Sequence, residues 1–328
     1  MGLTHFPHGV SSMGVPVMPG GGRFAGWWGK SYFVDYDHGN NGNTGLEPTT
    51  AVRDPQVAIN LATTNDVIYI RNRDQDITST DPEYIIPAST TNWSTAEAQT
   101  HLSIIGASNV SHIPTQEEHL GVALKGSSTT SSPVFTVNSA FFLLENVAFH
   151  RGSSTSGHLL LNGNSTSLRA LGSVINNCLF RLDSSTGSYG ALRNLDNWFV
   201  TVYGCTFHDC KFGVYMVGSN TTIRRVTVDS CLFRNQTAAS VDTNITMSGS
   251  SSQDIVIKDC IFACNTPTAG EAKFINVTSA ATGVVSGCQF PIDTTEGTVS
   301  MEINGLDAIA CWQAVTTTTG DPTWGLAS

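Results

Sequence analysis

Asn146-Val147-Ala148-Phe149, Asn177-Cys178-Leu179-Phe180, Gly204-Cys205-Thr206-Phe207, Ser230-Cys231-Leu232-Phe233, Asp259-Cys260-Ile261-Phe262 and Gly287-Cys288-Gln289-Phe290 are six copies of one short motif. Each is a small turn-former, then Cys or Val, then a free position, then Phe. The Phe-to-Phe steps are 31, 27, 26, 29 and 28 residues. Self-similarity at such a period marks a solenoid, in which each repeat contacts only its neighbours.

Cys and Phe lie two apart, so on a strand both point to one side, here the core. The residue between them varies freely and is read as outward-facing. Asn, Gly, Ser and Asp tolerate the left-handed or turn conformations that a corner between two strands requires. Before each corner stands another apolar position: Leu144, Ile175, Val202, Val228, Ile257 and Val285. Each repeat therefore reads as strand, sharp corner, strand. No long amphipathic helical segment intervenes, whereas helical repeats need two per unit. The predicted fold is all-β, a right-handed parallel β-helix. Its coils stack ~4.8 Å apart, so equivalent positions form ladders. Cys178, Cys205, Cys231, Cys260 and Cys288 fall in one ladder. Phe149, Phe180, Phe207, Phe233, Phe262 and Phe290 fall in the next. Cys210, Cys264 and Cys311 are read as lying off the ladder.

Charged residues make up 13% of the 328-residue chain, about half the usual ~25%. A formal charge of −10 argues against a nucleic-acid surface. No run of 18 apolar residues offers a membrane span, and no basic-then-apolar opening suggests a secretory signal. Cysteines that recur once per coil are expected to be free, buried hydrophobes made in a reducing cytosol. No C-x-x-C occurs and no His recurs beside the ladder on every coil, so neither a metal nor another cofactor is expected. The seven N-x-S/T sequons are what chance supplies in a chain so rich in Ser, Thr and Asn.

Residues 1–30 read as an extended arm with almost no charge. Its apolar positions, among them Phe6, Val10, Val15 and Val17, are spaced by Gly and Pro and are expected to order against a partner. Residues 31–70 hold a strand at Tyr32–Tyr36, then a helix capped by Asp54 with Pro55 at its first position. Val57, Ala58, Leu61 and Ala62 form its apolar face, and it covers the open end of the stack. Coils then fill 71–305, with projecting loops expected over 71–100 and 112–132. Residues 306–328 read as a tail.

Two resemblances follow. The run Val34-Asp35 … Gly42-Asn43-Thr44-Gly45-Leu46-Glu47-Pro48 … Asp54-Pro55-Gln56-Val57-Ala58-Ile59 … Asn65-Asp66-Val67-Ile68-Tyr69-Ile70 resembles the opening segment of pectate-lyase-like β-helix proteins. Residues 2–17, GLTHFPHGVSSMGVPV, look like the start of structural proteins of tailed phages. Together they imply a virion-associated β-helix, a head-decoration, fibre or spike protein assembled in the host cytoplasm. They also imply a homotrimer bound to other capsid or tail proteins. The alternative is a tailspike-like protein that binds or cleaves host surface polysaccharide. The resemblance supplies no catalytic motif.

Polysaccharide cleavage would need two carboxyl groups roughly 5–10 Å apart. The candidates are Glu145, Asp183, Asp196, Asp209, Asp229, Asp254 and Asp259. No two share a ladder on adjacent coils, so solvated or turn-capping roles are expected and no catalytic residue is assigned. The residue after each Phe is more regular: His150, Arg181, His208 and Arg234 form one outward column. It reads either as a surface for an acidic partner or glycan or as a solubilising strand edge. Asp35 to Asn43 places oxygen ligands at calcium-like spacing, but Gly39 and Leu46 break the pattern, leaving an Asx-rich turn.

Overall fold

A computed structural model of the chain describes residues 10–12, 15–18, 29–73, 84–85, 92–107, 121–126, 133–150, 160–162, 170–181, 190–195, 198–208, 210, 212–217, 223–235, 243–248, 251–264, 273–277, 280–293, 301–303, 305–316 and 322–326. Three parallel sheets run the length of the molecule. It is a right-handed parallel β-helix.

Sheet 1 runs from Ser31–Val34 and Val67–Ile70 through Leu143–Glu145 and Thr227–Asp229 to Asp307–Ile309. Sheet 2 runs from Tyr84–Ile85 and Val122–Lys125 through Thr206–His208 to Trp312–Thr316, and ends on the antiparallel strand Pro322–Leu326. Sheet 3 runs from Trp93–Ser94 and Phe135–Val137 through Gly190–Leu195 to Met301–Ile303. Varying numbers of residues separate its strands from the repeat motif, which does not mark them. The expectation of two strands per coil therefore missed this sheet.

One residue turns the chain from sheet 1 to sheet 2 on coil after coil. Asn146, Asn177, Gly204, Ser230, Asp259, Gly287 and Ala310 all have positive φ, between 49° and 64°. Left-handed backbone sends each corner N–H along the stack. Asn146 N donates to Asn176 O, Asn177 N to Tyr203 O, Gly204 N to Asp229 O, Ser230 N to Lys258 O, Asp259 N to Ser286 O and Gly287 N to Ile309 O. Side chains repeat the pattern at the first step, where Asn177 Nδ2 donates to Asn146 Oδ1 at 2.6 Å. Corners are thereby locked to the next coil, which fixes the register of both flanking strands.

That register aligns the core. Ile68, Ile104, Leu144, Ile175, Val202, Val228, Ile257 and Val285 pair in sequence along sheet 1 and are buried. In sheet 2, Phe149, Phe180, Phe207, Phe233, Phe262 and Phe290 stack with centroids 4.8–5.2 Å apart and planes within 8°. Each ring sits one coil rise from the next, in offset contact on both faces. Cys178, Cys205, Cys231, Cys260 and Cys288 are free and buried beside them. Each thiol lies against the carbonyl two residues back and one on a neighbouring coil, as Cys231 does with Asp229 O and Val202 O.

Three expectations need correction. Cys311 belongs to the ladder: Gln289 pairs with Trp312, and the Cys311 thiol reaches Val285 O and Ile309 O as its predecessors do. Ala310 and Gln313 had replaced the turn-former and the Phe, which hid this coil. The stretch 71–100 holds the rungs Tyr84–Ile85 and Trp93–Ser94, and 112–132 holds Val122–Lys125. On the helix Pro55–Leu61, Ala58 and Ile59 are buried with the capping residue Ala62, while Leu61 is exposed. The Asp54 carboxylate accepts from Gln56 N at 2.7 Å, the expected N-cap.

The middle of the phenylalanine stack allows a direct test. Phe233 contacts a ring on each side, so Phe233→Ala removes both contacts and leaves a cavity the rigid coils cannot close. Chemical denaturation should show a loss of about 3–5 kcal/mol.

Candidate functional site

The basic column is in register as expected. His150 pairs with Arg181, Arg181 with His208, and His208 with Arg234. Lys125, which pairs with His150, adds a fifth member that the sequence reading missed. Its exposure is corrected: His150 is 7% and His208 3% exposed, and Arg181 and Arg234 are half-buried. The free position of the motif is corrected likewise at Ala148, Leu179 and Thr206, which are buried. Ala123, Ala148 and Leu179 form a small apolar cluster of their own outside the main core. Strand alternation gives the direction a side chain points, not what packs on that face. Imidazole alternates with guanidinium here, which sets the guanidiniums two coil rises apart and limits like-charge repulsion between adjacent rungs.

Three of the carboxylates considered for catalysis take structural partners, and Asp259 is an exposed corner residue. Glu145 Oε1 accepts from Asn176 Nδ2 at 2.9 Å, Asp229 pairs with Lys258 at 3.0 Å, and Asp254 pairs with Arg225 at 3.6 Å. Asp183, Asp196 and Asp209 lie outside the described residues, as does Phe6 of the arm. Val10–Ser12 and Val15–Met18, which carry Val10, Val15 and Val17, pair as a short antiparallel hairpin. Among the described residues this hairpin pairs with none of the three sheets.

Functional groups concentrate at the capped end. The loop after Ser31–Val34 is an Asx turn: Asp35 Oδ1 accepts from Asp37 N and His38 N, and Asn40 Oδ1 from Gly42 N. Among the described residues no three His, Cys, Asp or Glu side chains gather around a metal position. Arg71 Nη1 meets Asp35 Oδ2 at 2.7 Å, and Arg73 Nε meets Asp37 Oδ1 at 3.3 Å. Two guanidiniums lie over the Tyr36 ring, Arg73 at 4.1 Å and Arg53 at 4.4 Å from its centroid. Beneath them, Tyr84 Oη accepts from Tyr36 N and donates to Arg71 O. Burial pushes this phenol well above its ordinary range, so it stays a neutral donor.

A cavity of about 310 Å³ opens here, lined by Tyr36, Asn41, Arg53, Asp54, Pro55, Tyr84 and Trp93. Asn41 Oδ1 accepts from Arg53 N at 3.0 Å and Asp54 N at 2.9 Å, which fixes its amide. Trp93 Nε1 donates to Asp54 Oδ1 at 3.2 Å, tying a sheet 3 strand to the helix cap. Sequence reasoning saw the Asx loop and the Asp54 cap separately. It missed Tyr36, Arg53, Tyr84 and Trp93 as neighbours, because they come from four segments that meet only in the coil.

No protein-family model and no curated protein matches the chain. Solved structures share its fold. ORF18 of Geobacillus virus E2 is 12% identical with a TM-score of 0.50, over 82% of this chain and 59% of that one. The pectin methylesterase of Aspergillus niger is 12% identical with a TM-score of 0.47, over 89% of both chains. The tailspike protein of Acinetobacter phage vB_ApiP_P1 is 13% identical with a TM-score of 0.41, over 97% of this chain and 60% of that one. Similarity at these identities is similarity of fold.

Asp35 makes the capped end sensitive to acid. Burial pushes its carboxyl up, but the Arg71 guanidinium and the backbone N–H groups of His38 and Asp37 outweigh this and hold it below the ordinary range. A lowered carboxyl contributes stability that is complete above ~4 and lost as pH falls through the folded value. Asp35→Asn should therefore be less stable at neutral pH and should lose less on acidification from pH ~6 to ~2.5, as followed by urea unfolding.

Proposed function

We propose that the chain is a structural protein of a tailed-phage virion, a rigid β-helical rod attached through its N-terminal segment. One observation carries this: the hairpin of Val10–Ser12 and Val15–Met18 precedes the β-helix and, among the described residues, is paired with none of its sheets. A solenoid gains little from such a segment, since the helix Pro55–Leu61 already packs against its first strands, Ser31–Val34, Val67–Ile70 and Trp93–Ser94. The segment is nearly uncharged and rich in apolar residues, a composition that gains free energy by leaving water against another surface. The resemblance of residues 2–17 to phage structural proteins points the same way. The partners in this reading are other virion proteins, and the assembled state is a homotrimer. Several N-terminal segments in one oligomer would hold far more firmly than one.

The rod suits the role. Through the middle of the stack successive coils are joined by three parallel ladders and a stacked core, so length is added without hinges. At ~25 cal/mol per Å² of apolar area, even ~400 Å² buried by one segment gives ~10 kcal/mol gross, much of it offset by ordering.

Removing residues 1–25 tests the assignment. The shortened chain should keep its circular dichroism and its unfolding transition and be missing from purified virions of the phage that encodes it. Incorporation at the normal copy number would overturn the docking role.

A further inference from the structure

We propose that the cavity at the capped end binds an acidic sugar, a hydroxylated ring bearing one carboxylate. The site is separate from the docking role and does not depend on it. A volume of about 310 Å³ stands at the lower end for ligand pockets, enough for one monosaccharide and a few waters. The groups converging on it are chemically mixed in the way a sugar requires.

Arg53 supplies the anion site. Of the three guanidiniums at this end, Arg71 is paired with Asp35 and Arg73 with Asp37. Arg53 has no carboxylate partner among the described residues; its recorded contact is the Tyr36 ring, 4.4 Å away. The Tyr36 ring holds the guanidinium at the edge of the cavity, and its N–H fork matches a planar, two-oxygen anion. A carboxylate matches that fork. A phosphate dianion suits it less, because Asp54 shares the lining.

Asn41 and Asp54 supply hydroxyl recognition. The Asn41 amide is fixed by the two backbone N–H groups on its oxygen, which leaves Nδ2 to donate. Asp54 Oδ1 is held by Gln56 N and the Trp93 indole, which leaves Oδ2 to accept. Adjacent hydroxyls of a pyranose need such a donor and acceptor side by side. Pro55, Tyr84 and Trp93 line the inner wall of the cavity. All three are buried, so binding orders little of the protein.

Titration of the full chain with sodium glucuronate, glucose and acetate, followed by calorimetry and saturation-transfer NMR, tests this. A single sugar should bind with a dissociation constant on the order of millimolar. Glucuronate should bind at least about tenfold tighter than either control, because only it engages both Arg53 and the Asn41–Asp54 pair. Arg53→Ala should abolish the preference over glucose while leaving thermal unfolding unchanged, since Arg53 is exposed. Should that variant be unstable, Arg53→Lys keeps the charge without the fork and should still lose most of the preference. Equal affinity for glucuronate and glucose, acetate binding as tightly as glucuronate, no saturable binding, or an unaltered Arg53→Ala profile would each overturn the assignment.

Discussion

The N–H of the left-handed corner residue, given to the carbonyl of the next coil, is the bond on which the rest of the molecule depends. One residue between sheets 1 and 2 must reverse the chain sharply enough for two strands to follow each other directly. Only left-handed backbone does this, and it costs a non-glycine residue about 1–2 kcal/mol. Asn and Asp reduce that cost through local hydrogen bonds, and Gly avoids it. Ser230 and Ala310, at φ 53° and 50°, adopt the same backbone without either advantage. The ladder holds Ser230 from both sides and Ala310, after the last strand of sheet 1, from one, which shows how strongly the stack determines each coil.

Everything inside follows from that register. Once the corners align, the residue three after each falls on the same spot in every coil, and like meets like. Identical phenylalanines stack because they are one rise apart, not because each finds its own pocket. Cysteine suits the narrower position next to the corner: it fills a small apolar space and turns its thiol toward a carbonyl. Burial raises the Cys205 and Cys231 thiols well above their ordinary range. Contact with Cys231, which outweighs burial there, does the same for Cys260. Thiols kept protonated in this way are poor nucleophiles and metal ligands. The ladder is structural chemistry.

Sequence made the corner legible because its whole signature fits within six residues. Leu144 through Phe149 holds an inward strand position, the corner and two inward positions of the next strand, with no loop to blur the spacing. Sheet 3 was not legible: its paired positions Leu160, Leu192 and Val214 stand 11, 12 and 7 residues after Phe149, Phe180 and Phe207, so no fixed offset from Phe reaches them. The last coil failed for a different reason. Ala310 and Gln313 keep the geometry without the residue types, because neighbours can force a conformation that the residue itself does not prefer. The basic column was correct in alignment and wrong in exposure, since period-2 alternation says nothing about what covers a face. The cavity was invisible as a unit. Arg53 and Trp93 are forty residues apart, and their meeting depends on sheet 3 reaching the helix cap.

The most direct test of the account is the native-state labelling of the cysteine ladder. Full-length protein would be exposed to a small thiol reagent, with the modified peptides identified by mass spectrometry over time. If the coils form one register-locked stack, Cys205, Cys231 and Cys260 label together, only at the rate of global unfolding, and are accelerated in parallel by denaturant. Rapid labelling of Cys231 under native conditions, or labelling of these three at unrelated rates, would contradict it.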